Sequence, residues 1–132
     1  MAEPLATAGD GQPFIAYHGT SRANAQSIQR DGFRPSSGGC GGQGIYVAAS
    51  RKASRFAHDF HSGDPVLLKC SVTVKRPKYS NADCTNWQNE GFDGCRLERT
   101  SRSRNPEWCI ASSAQITVLE VRSLAGQARP PN

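Results

Sequence analysis

Phe14-Ile15-Ala16-Tyr17-His18-Gly19-Thr20-Ser21 is the stretch on which the fold turns. The apolar residues at its start read as a short β-strand, and His18-Gly19-Thr20 reads as a polar turn delivered at the strand's tip. A helix is predicted directly after it. Ser21 is suited to cap that helix, Ala25 and Ile28 share one face, and Asp31-Gly32 supplies a C-terminal stop with Phe33 packing behind it.

Downstream, residues 35–44 read Pro-Ser-Ser-Gly-Gly-Cys-Gly-Gly-Gln-Gly, a composition that favours no regular element and predicts a mobile loop. Ile45-Tyr46-Val47-Ala48 restores a strand. Ser50 is then expected to cap a helix reaching Phe60, with Ala53, Phe56, Ala57 and Phe60 on its buried face. Residues 66–74 form the longest β-type run and predict a central strand, Pro65 being tolerated at its first position. Residues 75–94 read as polar loop anchored by Trp87 and Phe92, and residues 95–98 as a short strand. A basic loop over 99–106 leads to two final strands, 107–110 and 115–121, joined by a Ser-rich turn. Helices lie early and strands dominate late, so the class is α+β.

A length of 132 residues with 36% hydrophobic content suits one core and is too short for two. One domain is therefore expected over 13–123, between loose tails at 1–12 and 124–132 that are rich in Gly, Pro, Ala and Gln. The net charge of +5 favours anionic partners without demanding nucleic acid. No apolar run approaches the roughly 20 residues of a membrane helix, and the first residues lack a basic and then apolar leader pattern. An intracellular protein, cytoplasmic or nuclear and without membrane contact, is the expectation. Cys40, Cys70, Cys84, Cys95 and Cys109 contain no C-x-x-C pair and read as reduced thiols, some of them buried in strands. His58-Asp59-Phe60-His61 has no partner set at metal-ligand spacing, so no metal is expected.

The chemistry-bearing residues form one ordered constellation: Tyr17-His18-Gly19-Thr20, then the glycine loop into Gly44-Ile45-Tyr46-Val47-Ala48, then Glu107-Trp108-Cys109-Ile110. H-G-T alone is a weak signal, and so is G-I-Y. In this order, with a helix and a glycine loop between them, they resemble the His-Tyr-Glu triad of the poly(ADP-ribose) polymerase type of ADP-ribosyltransferase catalytic domain. The runs H-G-T-S, D-G-F-R-P-S, G-x-G-I-Y-V and K-A-S-R-F are similar to the small interferon-responsive Gig2-like members. The resemblance spans residues 14–121.

It implies a compact α+β fold of two packed, mostly antiparallel sheets with two short helices, and NAD as co-substrate. It further implies a site with these roles: His18 on the adenosine ribose, the Gly19 backbone on the nicotinamide carboxamide with Thr20 beside it, and Tyr46 as a flat wall for nicotinamide. Glu107 would accept a hydrogen bond from the nicotinamide-ribose 2′-hydroxyl. That placement suits the chemistry, because positive charge builds on the ribose as the bond to nicotinamide breaks. Phe56 is the candidate for the opposite wall, one residue nearer Tyr46 than in the family, with an ordinary core residue as the alternative reading. The carboxamide-contacting serine is Ser54, unless Ala53 takes that position.

Gly44 and the loop before it are expected to cover the pyrophosphate with backbone N–H groups, a plain connector being the alternative. Arg99, Arg102 and Arg104 precede the acidic strand where the family meets its acceptor, and suit phosphate or carboxylate groups. Solvated charge is the simpler account of them. The function implied is mono-ADP-ribosylation, by a monomer, of a protein or nucleic-acid acceptor. Two alternatives stand beside it: a module that binds NAD, ADP-ribose or phosphate ends without chemistry, and an RNA 2′-phosphotransferase.

Overall fold

The computed structural model describes residues 4–131. Its element order is β1 (Phe14–Ser21), α1 (Arg22–Asp31), β2 (Ile45–Ala48), α2 (Ser50–Phe60), β3 (Pro65–Val72), β4 (Pro77–Ser80), β5 (Gly94–Leu97), β6 (Glu107–Ile110), a 3-10 turn (Ser113–Gln115) and β7 (Ile116–Ser123). The fold is α+β. In place of the two packed sheets the resemblance implied, all seven strands hydrogen-bond into one sheet in the order β4-β5-β6-β2-β1-β3-β7. Only β4 and β5 run parallel. The join between β2 and β1 is a single residue pair, Tyr17 with Ala48. The sheet is therefore two well-knit halves, β4-β5-β6-β2 and β1-β3-β7, held together at a narrow seam.

β1 continues through Ser21, so His18-Gly19-Thr20 lie within a strand instead of a turn; all eight residues pair with β3, from Phe14 opposite Val72 to Ser21 opposite Pro65. Ser21 caps α1 as expected, its hydroxyl accepting from the Asn24 amide at 3.1 Å. Gly32 ends the helix at φ 85°, a conformation that favours glycine, with its N–H on the Ile28 carbonyl. α2 differs from expectation at its start: Ala49 occupies the cap position, with no side-chain cap bond, and Ser50 is the first helical residue. The chain leaves β2 at Ala48 and has only one residue in which to turn.

The two helices cover opposite faces. On β3, Val66, Leu68, Cys70 and Val72 face the cluster that holds Ala25 and Phe33, with Ile28 packed against it. Leu67, pointing the other way, packs with Ala53 and Ala57 of α2. A third cluster lies on the α2 side of the other half-sheet, where Trp87, Cys95, Leu97 and Cys109 are buried together. Ala53 and Ala57 are buried as expected, whereas Phe56 and Phe60 are exposed. Alanine is what this packing needs, since a Cβ on Gly19 would stand 2.0 Å from the Ala53 carbonyl oxygen. The helix lies directly on the strand backbone.

Three further differences have plain causes. β4 falls in the segment read as loop, because Pro-Lys-Tyr-Ser carries no alternation; as the edge strand it tolerates Pro77 at its first position. β6 and β7 do not form a hairpin: the 3-10 turn sends β7 to the far edge, and Gln115 fastens that turn by donating to the Thr73 and Asp93 carbonyls. Of the segments expected to be loose tails, residues 1–3 and 132 lie outside the described residues, and the described parts, 4–12 and 124–131, dock. Leu5 is buried, and Ala6 accepts from Arg96 Nε at 2.8 Å and from Trp108 Nε1 at 3.0 Å. At the other end Arg129 makes a two-pronged ion pair with Asp59. Among the described residues no helix is long and apolar enough to cross a membrane.

Candidate active site

The three residues of the constellation come from three adjacent strands, β6, β2 and β1, at the seam of the sheet. Glu107 pairs across the ladder with Ala48, and Ala48 with Tyr17; Tyr46 lies opposite Cys109. Beyond Tyr17 and Ala48, the β1–β2 ladder stops. A side chain takes over there: His18 Nδ1 sits 2.7 Å from the Tyr46 carbonyl oxygen. A carbonyl can only accept, so Nδ1 carries the proton and Nε2 keeps its lone pair. Burial, opposed by the bond to Tyr46, holds the imidazole below its ordinary pKa. His18 is thus a neutral hydrogen-bond acceptor at neutral pH, its ring set edge-on to Phe33 at 5.2 Å.

Tyr46 points its ring into the Trp87 cluster. Its hydroxyl donates to the Gly42 carbonyl and accepts from the Gly41 amide at 3.0 Å. Burial and the neighbouring Cys109 thiol push its pKa well above the usual phenol value, so it stays protonated and fixed. The loop that holds it is not the open phosphate cover expected from its glycines. Gly42 N–H donates to Gly39, Gly44 N–H to Ser36, and Gly41 N–H to Tyr46, so these amides are engaged within the protein. The glycines serve packing: a Cβ on Gly44 would meet the Cys109 sulfur at 2.4 Å, and one on Gly39 the Tyr46 hydroxyl at 2.6 Å. Trp87 Nε1 then ties the loop down through the Gly41 carbonyl at 2.8 Å.

The Glu107 carboxylate pairs with Lys52 Nζ of α2 at 2.7 Å, and Lys52 also donates to the Asn105 carbonyl at 2.7 Å. With side chains only 16% and 18% exposed, this pair is well shielded from water. Sequence reasoning missed Lys52. The available signal was its spacing: Lys52, Phe56 and Phe60 recur every four residues along one stripe of α2. Phe56 is 48% exposed and stacks on Phe60 at 4.7 Å, which sets aside the core-residue reading and leaves an aromatic surface one turn from the Glu107–Lys52 pair.

The remaining candidates separate. Gly19 has its absent side chain accounted for by the backbone of α2. Thr20 and Ser54 are buried. Arg99, Arg102 and Arg104 are exposed, and none makes an ion pair within 4 Å among the described residues. Their loop is braced at Ser101, whose amide and hydroxyl each reach the Asp83 carboxylate at 2.7 Å.

The seam between the two half-sheets carries an aromatic ring and a lysine-held carboxylate on the α2 face and a neutral imidazole acceptor on the opposite face. No protein-family model and no curated protein sequence matches the chain.

Proposed function

We propose that the chain is a mono-ADP-ribosyltransferase, cleaving NAD between nicotinamide and ribose and passing ADP-ribose to a protein or nucleic-acid acceptor. The observation that carries this reading is that the strands bearing His18, Tyr46 and Glu107 meet at the one narrow join of the sheet, Tyr46 and Glu107 on the α2 face and His18, pointing to the opposite face, bonded to the Tyr46 carbonyl. His18 Nε2 supplies an acceptor suited to a ribose hydroxyl, which fixes the nucleotide in register and contributes rate through orientation. Tyr46 supplies a rigid flat ring for nicotinamide, and Phe56, exposed on α2, is the candidate for the opposite wall.

As nicotinamide leaves with the bonding electrons, positive charge develops on the ribose. Glu107, accepting from the 2′-hydroxyl, stabilises that charge where it appears. Lys52 holds the carboxylate in place until the nucleotide is bound, and the acceptor then attacks the anomeric carbon with loss of a proton. The loops beside the site are tied down, so a second ADP-ribose has little to hold it; single transfer follows. The arginines of the loop before β6 favour acceptors bearing phosphate or carboxylate groups.

The test is release of nicotinamide and transfer of label from labelled NAD by the purified chain. Glu107→Gln should lower both by about a hundredfold or more, with the circular-dichroism spectrum unchanged. Equal turnover by wild type and variant sinks the proposal. One observation favours a second reading: the carboxylate is already occupied by Lys52, which suits a module that binds NAD or ADP-ribose without turnover. Calorimetry showing saturable NAD binding, with no nicotinamide released, would establish that alternative.

A further inference from the structure

The two edges of the sheet are built differently. β4, at one edge, is four residues long and opens with Pro77, which has no amide to donate, followed by Lys78. The N-terminal segment also packs on it, the Gly9 amide donating to the Tyr79 hydroxyl at 3.0 Å. A short strand with proline and lysine discourages any further strand from adding to it. β7, at the other edge, runs Ile-Thr-Val-Leu-Glu-Val-Arg-Ser, eight residues with neither proline nor lysine. Its second half is open to water, with Leu119 53% and Val121 37% exposed.

The ladder to β3 fixes which way the β7 backbone faces. In an antiparallel pair, facing residues alternate between those that exchange backbone hydrogen bonds and those that do not. The Leu124 amide donates to the Pro65 carbonyl at 2.9 Å, so by alternation Arg122 is bonded to Leu67 and Glu120 to Lys69. The Arg22 amide on the Asp64 carbonyl agrees, since it turns the even-numbered residues of β3 toward β1. The N–H and C=O of Val121 and Ser123 therefore point away from the sheet. Leu119, the extra residue of a bulge opposite Lys69 and Cys70, has no partner on β3. Among the described residues, the contact on these outward groups is that of Gln127 Nε2 with the Ser123 carbonyl, at 3.4 Å.

We propose that β7 pairs antiparallel with β7 of a second copy of this chain, about a two-fold axis at Val121, so that two seven-stranded sheets join into one. The two-fold sets Val121 against its own counterpart, outward groups to outward groups, and brings Ser123 opposite the partner's Leu119. Charge selects this register over its neighbours. Glu120 and Arg122 share the α2 face, where they stand beside Lys69 and Leu67, and they pair within the chain at 3.0 Å with their side chains about half exposed. The axis at Val121 places Glu120 opposite the partner's Arg122, and Arg122 opposite the partner's Glu120, so each charge gains a second partner of opposite sign. An axis one residue to either side would set carboxylate against carboxylate or guanidinium against guanidinium, and directly opposed like charges destabilise a strand pair. The bulge confines the contact to the strand's second half, which makes the dimer weak. β3 and β1 lie between this edge and the seam that carries Tyr46 and Glu107, so pairing leaves the candidate active site uncovered. The dimer departs from the monomer expected of the sequence.

Sedimentation velocity of the full chain under dithiothreitol, from about 1 to about 500 μM, tests the proposal. The mean mass should rise from the 14.2 kDa of one chain toward twice that value. Glu120→Arg and Arg122→Glu, each a change at a half-exposed side chain, should each weaken self-association about tenfold, with unchanged circular dichroism. An equimolar mixture of the two should recover it as a mixed dimer by native mass spectrometry, because every opposed pair is again of opposite charge. The double swap should recover it alone. A chain that stays monomeric throughout, a dimer that neither single variant weakens, or a mixture and a double swap that both fail to recover, overturns the proposal. No nucleotide enters the experiment, so its outcome is separate from that of the NAD assay.

Discussion

At the scale of single residues, His18 and Gly19 show how one dipeptide serves two faces of a sheet. Gly19 gives up its side chain so that α2 can rest on β1. Gly19→Ala drives a Cβ to 2.0 Å from the Ala53 carbonyl oxygen, a backbone atom that cannot swing aside. It should cost about 3 kcal/mol, at the upper end of ordinary overpacking, read as a lower urea midpoint with unchanged slope. His18 makes a pH prediction whose sign follows from its burial. The folded protein binds this proton less readily than the unfolded chain, whose imidazole titrates near its ordinary value of 6.5. Between the depressed value and 6.5 the unfolded chain holds more protons, so this contribution to stability is whole above that range and is lost as the pH falls through it. Denaturation at about pH 7.5 and about pH 5 should therefore show wild type losing more stability than His18→Asn. Equal losses would mean that the imidazole is not buried neutral.

At the scale of elements, the glycine loop and the segment 84–92 behave as one unit, stacked over β6 and β2. Trp87 is the pin, fully buried and donating to the Gly41 carbonyl. Trp87→Phe keeps most of the apolar volume and removes the donor, leaving the carbonyl unsatisfied at a cost of roughly 1–3 kcal/mol. Amide exchange at Gly41 and Gly42 should quicken well beyond any change at α1, which lies on the other face. A uniform change across the protein would mean that the segment does not hold the loop.

At the scale of the whole molecule, the chain ends complete the core. Leu5 covers buried surface, and its carbonyl and that of Ala6 satisfy the guanidinium of Arg96, which is 5% exposed. Removal of residues 1–9 uncovers an apolar side chain and leaves a buried cation short of acceptors. The loss should be roughly 3 kcal/mol or more, seen as a fall in Tm of several degrees, with Trp108 fluorescence shifted toward that of a solvated indole. An unshifted Tm would return this segment to the status of a tail.

The local features were legible from the amino acids because they depend on near neighbours in the chain: the Ser21 cap, the Gly32 stop, the β-runs at 14–17, 45–48, 107–110 and 66–74, the last of which ends as a strand at Val72, and the α+β class. What local reading could not supply was every feature set by residues distant in sequence. A strand of Pro-Lys-Tyr-Ser exists only because β5 lies beside it, and the order β4-β5-β6-β2-β1-β3-β7 arises from crossovers that carry no local pattern. For the candidate site, the types His18, Tyr46 and Glu107 stood out in the sequence. The bond from His18 to the Tyr46 carbonyl, the lysine on Glu107 and the closed glycine loop were decided by the tertiary structure, because hydrogen bonds and ion pairs form between groups that packing alone brings within 3 Å.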